Sequence, residues 1–123
     1  MTMRRRRLLA ALLSIGAAGA SSAAPDAIEQ ARIERLLRFV ESLTSTSFVR
    51  NGKAYSCRDA ARFLRAKYAK MGEHVTTAAQ FIDQIASRSS TSGEVYLVRF
   101  ADGRTTPAAQ VLRDELARID AER

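Results

Sequence analysis

The chain has 123 residues, with 20 Lys+Arg against 13 Asp+Glu and a formal charge of +7. Four of those arginines fall at positions 4–7, so 16 basic and 13 acidic groups remain beyond residue 23, a net of +3. That balance excludes the concentrated basic face of a nucleic-acid binder.

The first segment reads as an export signal. The four arginines precede an apolar run over 8–20, and Ser21-Ser22-Ala23 offers a small-x-small cleavage pattern. Cleavage is expected after Ala23, with Ala20 as the alternative. The run is shorter than the ~20 apolar residues that a membrane span needs. A twin-arginine reading is weak, because no Ser or Thr stands just before the arginine pair. A lipid anchor needs a Cys at the cleavage site, and the single Cys is Cys57. The expected product is a soluble periplasmic protein of about 100 residues, enough for one domain burying roughly 60–68% of its unfolded surface. One Cys allows no internal disulfide, and with one His it leaves too few ligands for the usual zinc site. The apolar core alone must hold the fold, and no residue set points to a metal or cofactor.

Asp26 is placed to cap the first helix, with Glu29 completing a capping-box-like pair. Ile33, Leu36, Leu37, Val40 and Leu43 follow at helical spacing and predict one buried stripe. Glu34 and Arg38 pair on the exposed side. After a Thr/Ser loop, Asn51-Gly52 predicts a two-residue hairpin turn over 48–55, because both central residues of a type I′ turn need positive φ. The register then sets Arg50 opposite Lys53, Val49 opposite Ala54 and Phe48 opposite Tyr55. Like charges facing each other cost a little.

Ser56 predicts the cap of a second helix with Cys57, Ala60, Ala61, Leu64, Tyr68 and Met71 on its stripe and Gly72 ending it. A third helix is expected from Thr76 or Thr77 to Ala86 or Ser87. A hydroxyl-rich loop over 87–93 leads into an alternating strand over 95–100, then an Asp102-Gly103 turn. Thr106 and Pro107 predict the cap and first position of the last helix, whose apolar face holds Val111, Leu112, Leu116 and Ile119. The fold class is α+β: about four helices packed on a small antiparallel sheet built from hairpin 48–55 and strand 95–100.

Two blocks carry a family resemblance. The first runs through Phe48-Val49-Arg50-Asn51-Gly52, Cys57, Ala60-Ala61, Leu64 and Lys67. The second holds Thr77-Ala78, Phe81-Ile82, Ile85-Ala86-Ser87, Ser89-Ser90, Ser92-Gly93 and Tyr96. Together they resemble the YfeK-like family of small, exported, uncharacterised proteins of Gram-negative bacteria. The resemblance implies a periplasmic protein with no assigned chemistry. Family members often carry His immediately before the residue matching Leu64; Phe63 stands there, so no catalytic role is carried over.

Cys57 falls in the first turn of a helix beside Arg58, where a thiolate is favoured. Its place on the stripe with Ala60, Ala61 and Leu64 argues instead for packing. His74, the single imidazole, is expected to be a solvated loop residue. Ser89, Ser90, Ser92 and Gly93 offer hydroxyls and backbone N–H groups that suit an anion or a sugar. Arg50, Lys53 and Arg88, with Asn51, complete a binding patch if the hairpin packs beside that loop. Against this, serines at a helix end ordinarily satisfy local carbonyls and shape turns. Strand 95–100 would recruit a second copy if it were an unpaired edge. The favoured reading is a non-enzymatic module that binds an envelope protein or an anionic or sugar component, with no nucleic acid and no membrane span after cleavage. The alternative is a small hydrolase or thiol enzyme using Cys57 or a loop serine, which lacks a base–nucleophile pair.

Overall fold

Helix α1 (Ala27–Ser42) starts where Asp26 caps it, the carboxylate accepting the Glu29 N–H at 2.9 Å. The structure is a computed structural model and describes residues 24–122; the expected signal segment lies outside the described residues. Glu29 does not close a reciprocal box. Its carboxylate accepts instead from Ala78 N–H at 2.8 Å and from Arg32 at 2.7 Å. Ile33, Leu36, Leu37 and Val40 are buried as the spacing predicted. Glu34 pairs with Arg38 and is also gripped by both Arg65 nitrogens, at 2.8 and 2.7 Å.

Strands β1 (Ser47–Arg50) and β2 (Lys53–Ser56) form the hairpin in the predicted register, Phe48 with Tyr55 and Arg50 with Lys53. Asn51 and Gly52 take φ of 51° and 77°, the left-handed pair that the turn requires. Helix α2 (Cys57–Met71) follows at once, capped by Ser56 and ending at Gly72. Helix α3 (Ala78–Gln84) is capped by Thr77 and is shorter than expected. Ala86 N–H is shared between Phe81 and Ile82 carbonyls, and the Ser87 hydroxyl takes the Ile82 carbonyl at 2.7 Å. That side-chain competition unwinds the last turn.

Strand β3 (Leu97–Arg99) is also shorter than the predicted 95–100, since Val95 makes only an isolated bridge to Arg88. Strand β4 (Thr105–Pro107) was not expected. Helix α4 (Ala108–Ala121) therefore begins later, with Pro107 as its cap residue and no side-chain cap. Pairing of Val98 with Thr106 draws Thr106 into the sheet, and a Pro is tolerated there because β4 is an edge strand. The strand order is β2-β1-β3-β4, antiparallel throughout. Strand β3 is thus paired on both sides, and the unpaired edge invoked for dimerisation through 95–100 is not there. Among the described residues the architecture is α+β, four helices with a four-stranded antiparallel sheet.

Phe48 and Val98, opposite each other on β1 and β3, join one buried cluster with the stripes of all four helices. Among the described residues no helix is long and apolar enough to cross a membrane.

Candidate functional site

The Asn-Gly turn and the hydroxyl-rich loop meet. Asn51 Nδ2 donates to Ser89 Oγ at 3.4 Å, and Ser92 Oγ donates to Asn51 Oδ1. Ser89 is the loop's hub. Its hydroxyl accepts the N–H groups of Thr91 and Ser92, both at 3.3 Å, and bonds the Thr91 hydroxyl at 3.0 Å. Gly93, at φ 77°, returns its N–H to the Ser89 carbonyl. These bonds are what a turn-shaping role for the serines demands.

A cleft of about 260 Å³ opens between this loop, β1 and α2. Arg50, Lys67 and Lys70 supply cations, Phe63 and Tyr96 supply aromatic walls, and Ser89, Ser90 and Thr91 supply hydroxyls. Among the described residues no carboxylate lines it. The Arg50 guanidinium lies 4.3 Å from the Phe63 ring centre and 5.8 Å from that of Tyr55. Lys67 is 8% exposed, its ammonium donating to the Arg88 carbonyl at 2.8 Å and to the Tyr96 hydroxyl at 3.1 Å. Burial pulls the Lys67 pKa below its ordinary value, and the charge of Arg50 lowers it further. Burial also raises that of Tyr96, against a smaller opposing effect of Arg50.

The remaining predicted residues scatter. Lys53 faces Arg50 across the hairpin but stacks on Tyr55 at 5.5 Å and does not line the cleft. Arg88 is exposed and contributes its carbonyl rather than its side chain. Ser92 and Gly93 hold the loop without lining the cleft. Cys57 is 2% exposed, and its sulfur contacts the Thr46 hydroxyl at 3.4 Å and carbonyl at 3.7 Å. Packing accounts for that thiol. His74 is exposed.

Lys67, Lys70, Phe63 and Tyr96 were not named as site residues. One signal pointed to Lys67: it continues the Ala60, Leu64 stripe, where a cation is out of place. Among the described residues no group of three or more His, Cys, Asp or Glu is placed to hold a metal ion.

The model of a family of unknown function (DUF5329) matches residues 27–120. The uncharacterized protein YfeK of Salmonella typhimurium is 41% identical over 71 residues, which cover 58% of this chain and 59% of that protein. The chain therefore spans about three-fifths of that relative's length. No solved structure matches it.

Proposed function

The chain belongs to the family of unknown function DUF5329, and on that footing we propose that it is an exported periplasmic binding module without catalytic chemistry. Its docking surface is the junction of the Asn-Gly turn with the Ser-rich loop, and its partner is an envelope protein or an anionic or sugar component. One observation carries the reading: Asn51 ties the turn to Ser89 and Ser92 beside a cleft that holds cations and hydroxyls and, among the described residues, no carboxylate. Loops pinned to a rigid scaffold are where binding residues concentrate. The arginines at 4–7 followed by a short apolar run support export. The buried Cys57 favours this reading over a thiol enzyme.

Periplasmic capture with crosslinking, comparing wild type with Arg50→Ala/Lys53→Ala, tests the docking surface. The double variant is expected to lose a crosslinked partner that wild type retains; identical partner sets overturn the reading. Osmotic-shock fractionation tests export, with release of a shortened chain expected and retention of the intact chain contrary to it.

A further inference from the structure

Elsewhere in this protein the half-buried cations find carboxylates, while Lys53, Arg58, Arg88 and Arg99, which find none, are exposed. Arg32 reaches Glu29 and Asp120 at 2.7 Å, Arg65 reaches Glu34 at 2.7 Å, and Arg118 reaches Glu115 at 2.6 Å. The cleft breaks that habit. Among the described residues no Asp or Glu lies within ion-pair distance of Arg50, Lys67 or Lys70.

Lys67 is the sharper anomaly. An ammonium has three N–H donors, and two protein acceptors, the Arg88 carbonyl and the Tyr96 hydroxyl, take two of them. Burying a cation without a counter-charge is costly, and Arg50 faces the same cleft. The Arg50 guanidinium carbon sits 4.3 Å from the Phe63 ring centre, and a guanidinium can present two N–H groups side by side to a planar or tetrahedral oxyanion. Phe63, Ala66 and Met71 supply an apolar wall beside these charges. The volume lies below the range that encloses a drug-sized ligand, so the cleft suits one head group or a small molecule.

We propose that this cleft is an oxyanion-binding site, in which Lys67 and Arg50 together hold one carboxylate or phosphate group while the ligand's apolar part rests on Phe63, Ala66 and Met71. The inference rests on the reading of the turn–loop junction as a binding surface, and gives that surface its chemistry. Ser90 and Thr91 stand on the loop side of the cleft as hydroxyl donors to the same group.

Amide-shift titrations of the full chain with inorganic phosphate, benzoate and benzyl alcohol test it. At least one anion is expected to bind saturably, moving the amides of Arg50, Lys67 and Ser90. Benzyl alcohol, which keeps the ring of benzoate and lacks its charge, should bind about tenfold more weakly or not at all. Tighter phosphate than benzoate marks a phosphate ligand, and the reverse a carboxylate; either supports the site. Arg50→Gln and Lys67→Met should each weaken the anion about tenfold or more. If Lys67→Met does not fold, Arg50→Gln carries the same test. No saturable anion binding, benzyl alcohol as tight as benzoate, or unchanged affinity in the folded variants would each overturn the proposal. Anions that fail to bind while Arg50→Ala/Lys53→Ala still loses its partner remove this site and leave the docking reading standing. Anions that bind while partner capture is unaltered do the reverse.

Discussion

Lys67 Nζ stands 3.1 Å from the Tyr96 hydroxyl and 4.9 Å from the centre of the same ring, so the ammonium meets the tyrosine at its hydroxyl end. The arrangement needs α2 and the segment entering β3 to be packed together. It makes a buried lysine affordable without an acid.

Removing the hydroxyl by Tyr96→Phe strips a charged donor of one acceptor and should cost about 1–2 kcal/mol. Lys67→Met removes the buried cation but leaves the Arg88 carbonyl and the Tyr96 hydroxyl without their donor, so the two effects oppose and stability should stay within about 1 kcal/mol of wild type. Urea unfolding of the two variants checks the pair of values. A Met variant less stable than the Phe variant would assign Lys67 to stability rather than to ligand binding.

Asn51 serves both the turn and the loop. Asn51→Gly keeps the positive φ and loses only the bonds to Ser89 and Ser92, for about 0.5–1.5 kcal/mol. Asn51→Ala adds the backbone penalty of a left-handed residue, about 1–2 kcal/mol more. Equal stabilities of the two variants by urea titration would show that the turn conformation costs nothing here.

Glu34 sets an acid limit. The Arg65 hydrogen bonds hold its carboxyl below the ordinary 4.5, with Arg38 adding to the effect and burial opposing it. A carboxyl lowered in the folded state binds fewer protons than the unfolded chain does. Its contribution is therefore fully present above pH 4.5 and fades as pH falls through the lowered value. Unfolding midpoints of Glu34→Gln should vary less with pH in that acid window than those of wild type.

Cys57 should react with iodoacetamide only through opening of the fold. At 2% exposure, its native labelling is expected to run at least about 100-fold slower than in urea and to track global stability. Labelling at the unfolded rate under native conditions would return the thiol to consideration as a nucleophile.

Local chemistry was legible in the sequence and long-range burial was not. Asn51-Gly52 announced its own turn and register because a type I′ turn demands those residue types. Asp26, Ser56 and Thr77 announced helix starts because a side-chain oxygen caps N–H groups only a few residues away. Thr106-Pro107 misled, since the same dipeptide serves as a helix start or as the end of an edge strand, and only the pairing of Thr106 with Val98 decides. The turn–loop contact entered only as a condition, because residue types do not say which distant segments pack together. The cleft was not legible, because Lys67 becomes a buried cation only when the Arg88 carbonyl and Tyr96, distant in sequence, close over it.

The Glu29 carboxylate that receives the Ala78 N–H has a kinetic consequence. Helix α3 has seven residues, too few to outlast its nucleation penalty in isolation. The acceptor for its first turn arrives from α1, 49 positions earlier. The segment over 78–84 is therefore expected to gain its amide protection late in refolding, after the amino-terminal helix has docked, an order that pulse-labelled hydrogen exchange reads.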